Sequence, residues 1–251
     1  MKLALATILL ALPCIAQGAD CSARSAPHTT ALVELYTSEG CDSCPPADRW
    51  LSSLLAQGYR PDRVVPLALH VDYWDYIGWK DSYAKREFAL RQKKLSQLQR
   101  MALVYTPQVM LQGRDFRRWG TQAFDEAVAR INSQPAKARL KLSLLRVDER
   151  ALEVEVTAEL ASPARDAALY LASYQSRLQS KVTAGENRGR ILTHDHVVLE
   201  WLGPLEVQNR RVERRTLPLL PDAAAANSGA AAFVQERRTG EVLQALLRSS
   251  C

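Results

Sequence analysis

The spacing of apolar positions changes near Pro135. Before it, the short apolar runs 31–37 and 64–71 read as strands. They alternate with 47–57 and 82–99, whose apolar residues recur at helical spacing, and with a further strand at 108–112 and helix at 122–131. Strand and helix in alternation predict an α/β layer. After Pro135 the chain turns mostly to strands, at 139–147, 151–160, 167–175, 193–202 and 211–217. Leu152, Val154 and Val156 alternate with Glu153, Glu155 and Thr157, as a strand with one buried and one wet face requires. The predicted fold class is therefore an α/β N-terminal domain, residues 20–135, followed by a β-rich, sandwich-like C-terminal domain, residues 136–251. The Ala-rich stretch 223–232 reads as a loop, and 241–248 as a short closing helix.

The first 19 residues stand apart. Met1-Lys2 gives a positive start, Leu3 to Leu12 is uncharged and apolar, and Ala16-Gln17-Gly18 offers a small-x-small cleavage pattern. They read as a secretory signal peptide, because the apolar run is well short of the roughly 20 residues a spanning helix needs. The expectation is an exported, periplasmic or secreted protein with no stable membrane insertion after cleavage.

Export changes the meaning of the cysteines, since disulfides persist in oxidising compartments. Processing removes Cys14 and leaves Cys21, Cys41, Cys44 and Cys251. Cys41 and Cys44 pair most naturally with each other, which leaves Cys21 and Cys251 to form a structural disulfide between the two ends of the mature chain. Two free or intermolecular thiols are the open alternative.

Charge excludes little beyond one class of partner. The formal net charge is +6, but Arg114, Arg117, Arg118, Arg210, Arg211, Arg214 and Arg215 form short clusters rather than a tract. No nucleic-acid-binding module accompanies them, so nucleic acid is not an expected partner.

The candidate chemistry lies in Cys41-Asp42-Ser43-Cys44-Pro45-Pro46, between the first predicted strand and the first predicted helix. Two cysteines two residues apart at such a turn can close a small disulfide, and a helix N-terminus favours the first thiolate. The spacing suits exchange: one thiolate attacks a substrate disulfide, and the second must reach the first sulfur to release the product. Asp42 opposes the thiolate and argues against a very strong oxidant. No cofactor and no metal site are expected, since a cysteine-only zinc site needs a second nearby pair. Copper is the sharper competitor, because thiolates suit Cu(I). His194 and His196 lie on one face of a predicted strand, far in sequence from the cysteines.

Four ordered blocks carry a resemblance: residues 32–48, which contain the cysteine pair, then 70–81, Tyr105-Thr106-Pro107-Gln108, and 185–190 (Gly-Glu-Asn-Arg-Gly-Arg). Together they resemble the DUF1223 family of exported, thioredoxin-like bacterial proteins. The resemblance implies a thioredoxin-like N-terminal domain and a Gram-negative periplasmic setting. Carried over residue by residue, it makes Cys41 the attacking thiol at an exposed helix start and Cys44 the enclosed resolving thiol. It makes Thr106-Pro107 a cis-proline loop facing the pair, and Glu34 a buried proton relay for Cys44. The aromatic block adds His70, Asp72 and Trp74 as substrate-groove candidates, because it begins where strands of open α/β sheets end. The expected function is thiol-disulfide exchange on protein or small-molecule disulfides. The alternative is a non-catalytic exported binding or copper-handling protein.

Overall fold

The structure is a computed structural model and describes residues 21–148, 150–162, 166–220 and 224–251. The expected signal peptide lies outside the described residues. The N-terminal half begins with β1 (Ser22–Arg24) and β2 (Ala31–Thr37), followed by α1 (Pro45–Ser53) and β3 (Val64–His70). A short 3₁₀ helix (Asp72–Ile77) leads to α2 (Arg86–Leu98), then β4 (Gln108–Leu111), β5 (Arg114–Asp115) and α3 (Gln122–Asn132). Parallel β2 and β3 form the middle of this half, with β4 antiparallel to β2 and β5 antiparallel to β4.

Every residue of β2 is buried because helices cover both sheet faces. Val33 and Leu35 pack with Leu51 of α1 and with Phe124 and Val128 of α3. Leu32 and Tyr36 point the other way, toward Phe88 and Leu95 of α2. Burying an aromatic or leucine side chain of this kind contributes roughly 1.5–3 kcal/mol, enough to anchor each helix against the sheet. Helix α1 starts at Pro45, two residues before the expected 47–57 stretch. Its first amides need no intrahelical partner, so prolines there cost little.

The second half supplies β6 (Ala138–Val147), β7 (Ala151–Leu160), β8 (Ala167–Gln175), β9 (Leu178–Lys181), β10 (Ile191–His194), β11 (Val197–Glu206), β12 (Arg210–Pro218), β13 (Ser228–Glu236) and β14 (Val242–Ser249). A four-stranded sheet in the order β1-β6-β7-β12 packs through Leu142, Val154 and Val156 against Leu169, Leu171, Ala230 and Val234. Strand β11 lies parallel to β3 with Val197 opposite Ala68. One eight-stranded sheet, β14-β13-β8-β11-β3-β2-β4-β5, therefore runs through both halves.

Three local expectations are corrected. Ala230, Ala231 and Ala232 are fully buried in β13 rather than in a loop. Ala231 faces the α2 side while Ala230 and Ala232 face the four-stranded sheet, where two crowded layers favour small side chains. The expected closing helix is β14, apolar on both faces and so without alternation. The expected strand 193–202 is broken at Asp195-His196, where His196 adopts φ 56°. His194 ends β10 and His196 precedes β11, so they do not share a strand face.

Cys21 and Cys251 form the expected terminal disulfide, with Cα atoms 5.9 Å apart across 230 residues of sequence. Among the described residues no helix is long and apolar enough to cross a membrane.

Candidate functional site

Strand β2 delivers the chain to the cysteine turn. The Cys41 amide donates to Ser38 O at 3.2 Å and the Cys44 amide to Cys41 O at 3.3 Å, folding the segment so that the two sulfurs meet in a disulfide. Cys44 caps α1, its carbonyl accepting from the amides of Ala47 and Asp48. With Cys41 oxidised, the Ser43 hydroxyl is the group with a proton to give, and it lies 3.3 Å from Cys41 Sγ. Ser43 was not singled out from sequence.

Both cysteines are fully buried, which corrects the expected exposure of Cys41. The cover comes from the segment between β9 and β10. Asn187, itself buried, donates from Nδ2 to the carbonyls of Glu39 and Cys41, each at 2.8 Å. Glu186 Oε2 accepts from the Asp42 amide at 3.1 Å, and Arg190 donates to Asn187 Oδ1 at 2.9 Å. Gly185 has φ +70°, and a β-carbon there would lie 3.0 Å from the Ile77 side chain, so this bend favours glycine. The block 185–190 thus closes over the block 32–48.

Tyr36 pairs with Gln108, so Thr106-Pro107 stands beside the end of β2 from which the cysteine loop leaves. The Thr106–Pro107 bond is cis, as expected. Trp74 donates from Nε1 to Thr106 Oγ1 at 2.7 Å, and its β-carbon reaches the Gly40 position. Among the groove candidates Trp74 therefore links the proline loop to the cysteine loop. Asp72 opens the 3₁₀ helix, partly exposed. A cavity of about 280 Å³ beside this loop is lined by Tyr105, Pro107, Arg117 and Trp119.

Two expectations fail on geometry. Glu34 is buried on the α2 face of the sheet, away from α1, where Arg91 holds both carboxylate oxygens. A carboxylate locked this way, with the sheet between it and Cys44, has no path for relaying that proton. His70 lines no groove. It is fully buried, with Nδ1 2.7 Å from Asp81 Oδ2.

His70 instead belongs to a polar cluster on the α1 side that the sequence reading did not assemble. His194 Nε2 lies 3.3 Å from Glu39 Oε1, and its Nδ1 lies 3.9 Å from Asp48 Oδ2. The imidazoles of His70 and His194 meet edge to face at 4.9 Å. Glu39 also accepts from Trp79 Nε1 at 2.8 Å, and Asp81 accepts from the amides of Glu39 and Tyr83. Burial opposes the charged form of His70, but Asp81, with Asp48 and Glu39 behind it, holds the imidazole up at about 9. Burial likewise disfavours the Asp81 carboxylate, yet His70 keeps that carboxyl below its ordinary range. Asp48 goes the other way, raised by burial. One sign was available in the sequence: Glu39, Asp48, His70 and Asp81 all fall inside the first two resemblance blocks. Among the described residues no group of His, Cys, Asp and Glu is arranged to hold a metal ion.

Comparison with known proteins places this geometry in a family. The model of the DUF1223 family, described as proteins of unknown function, matches residues 32–235. No curated protein matches the chain. A crystal structure of a protein from Agrobacterium tumefaciens is similar at 25% identity and TM-score 0.61, covering 90% of this chain and 96% of that one. HBP35 of Porphyromonas gingivalis shares the fold at 14% identity and TM-score 0.65, over 90% of this chain and 76% of that chain. With most of its length matched by the family model, the chain belongs to the DUF1223 family.

Proposed function

We propose that this protein is an exported thiol-disulfide oxidoreductase whose N-terminal half is thioredoxin-like. The observation that carries the reading is the Cys41–Cys44 disulfide at the mouth of α1, with the Thr106-Pro107 loop beside the end of β2 that leads into it. The order β2-α1-β3-α2-β4-β5-α3, with its parallel centre and antiparallel edge, supports the fold assignment. After reduction, the α1 N-terminus and the Ser43 hydroxyl favour a Cys41 thiolate, which attacks a protein or small-molecule disulfide. Cys44 then attacks Cys41 Sγ and releases the substrate thiol. The leader-like first 19 residues and the terminal disulfide support a periplasmic setting.

Complete burial of both cysteines favours a second reading, a structural disulfide in a non-catalytic binding protein. A trapping experiment separates the two. The reduced Cys44→Ser chain, mixed with a peptide disulfide, is expected to accumulate one mixed disulfide on Cys41, and the Cys41→Ser chain none, by intact mass. A native pair that dithiothreitol cannot reduce would support the structural reading and sink the enzyme.

A further inference from the structure

The cluster under α1 carries an inference that rests on the oxidoreductase reading and deepens it. Cys44 and Asp48 are four residues apart, with the Asp48 amide bonded to Cys44 O at 3.1 Å. Residues so spaced share one face of a helix, and both are buried here. Asp48 Oδ1 and His70 Nε2 are buried without a hydrogen-bond partner, while Glu39 Oε1 and His194 Nε2 face each other at 3.3 Å without the alignment of a hydrogen bond. Native proteins rarely leave such atoms unpaired, and those that persist mark strain, a catalytic role or an unseen partner.

We propose that Asp48, backed by His194, accepts the proton that leaves the Cys44 thiol when Cys44 resolves the mixed disulfide. In that state Cys41 Sγ is bonded to the substrate sulfur and Cys44 carries a proton. Asp48 takes the proton, and the Cys44 thiolate attacks Cys41 Sγ. The Cys41–Cys44 bond forms, the bond from Cys41 to the substrate sulfur breaks, and the substrate thiolate leaves to be protonated by water. Two electrons pass from the cysteine pair to the substrate disulfide.

The groups facing this site fit the assignment. Asp48 comes from α1, Glu39 from the loop after β2, His70 from β3, Asp81 and Tyr83 from the segment before α2, and His194 from β10. His70 is committed to Asp81. Glu39 Oε2 is occupied by the Trp79 indole. His194 stands between the Asp48 and Glu39 carboxylates, a position from which it can pass a proton from one to the other. Burial keeps the Asp48 carboxyl above its ordinary range, nearer to the thiol it would deprotonate. The imidazole comes from the second half of the chain, so the two halves would share one proton path.

The test uses the full reduced chain and excess dithiobis(nitrobenzoate) in a stopped-flow spectrometer, which resolves adduct formation at Cys41 from release by Cys44. Asp48→Asn is expected to slow the release phase about 100-fold near pH 6 and to converge on the parent above about pH 9, where Cys44 ionises unaided. His194→Gln should give a smaller loss of the same shape. Slowing by the same factor at every pH, or no slowing, overturns the proposal. If the Asp48→Asn chain does not fold, the redox difference infrared spectrum of the parent decides: a protonated-carboxyl band that changes with the cysteine pair is expected, and its absence overturns the assignment. A parent chain that forms no adduct refutes the oxidoreductase reading itself, and with it this step, before any variant is made.

Discussion

Two groups of buried charge sit on opposite faces of the same sheet, and they are finished differently. On the α2 face Arg91 grips both oxygens of Glu34 and also donates to Gln235 Oε1. The rings of Tyr170, Trp201 and Phe233 stand 4.8–5.0 Å from its guanidinium carbon. On the α1 face Asp48 and His70 each keep a buried polar atom without a hydrogen-bond partner, and Glu39 and His194 meet only as a poorly aligned pair at 3.3 Å. A saturated pair has nothing left to exchange, whereas an unsaturated cluster can take up a proton or rearrange. The difference suits the first group to architecture and the second to the proton transfer proposed above.

The largest effect should come from breaking the saturated side. Arg91→Ala leaves the Glu34 carboxylate buried and alone, and is expected to cost about 3–5 kcal/mol in urea unfolding of the oxidised protein. The fraction that remains folded should still form the Cys41 adduct at the parent rate. A changed adduct rate in that fraction would break the comparison, because it would couple the α2 face to the cysteines.

The next effect is in pH. His70 is held at about 9 in the folded chain against an ordinary value of about 6.5 unfolded. The folded state therefore binds the extra proton between those values. Its stabilisation is complete below about pH 6.5 and is lost as pH rises through 9, a fall of roughly 3 kcal/mol. His196 acts oppositely: burial holds it down at about 4, so stability falls as pH drops from about 6.5 toward 4. Urea midpoints of the oxidised chain should therefore peak near neutrality. His70→Gln should flatten the alkaline limb alone, and Arg91→Ala should leave that limb intact. An alkaline limb unchanged in His70→Gln would remove the titrating group from the α1 face.

Much of the first half was legible in sequence, because strands covered on both faces and helices covered on one have different apolar spacing. β2 runs over the residues expected, and α3 extends one residue beyond. β13 and β14 were illegible for a physical reason: Ala230–Ala232 are small and favour helix by propensity, and their strand identity comes from the two layers that enclose them. The cysteine pair, the terminal disulfide and the proline loop were visible as local signals. An acid serving Cys44 is expected from sequence on β2, at Glu34, where alternation does not say which face it occupies. Asp48 was hidden among helix residues. His194 and Asn187 reach the site only because β11 joins β3 and carries the β9–β10 segment over the cysteines, a long-range pairing that no local pattern encodes.

The smallest predicted effect concerns access. Asn187 ties the covering segment to the cysteine loop through two side-chain hydrogen bonds, each contributing about 0.5–1.5 kcal/mol net. Asn187→Ala should lower global stability by about 1 kcal/mol and open the segment locally, since a tether is lost while the sheet is untouched. Reduction of the Cys41–Cys44 disulfide by dithiothreitol should then speed up by about fivefold, as roughly 1 kcal/mol of local closure predicts. Asn187→Asp is the sharper variant, because it keeps the side-chain shape but cannot donate to the carbonyls of Glu39 and Cys41 when ionised, and it should accelerate reduction comparably. Ile191→Ser, at a residue 68% exposed on the neighbouring strand, should change nothing. If Asn187→Ala and Ile191→Ser reduce at the parent rate, the cover is not what limits access to the sulfurs. The burial of Cys41 would then reflect the packing of Trp74 and Ile77 around Gly40.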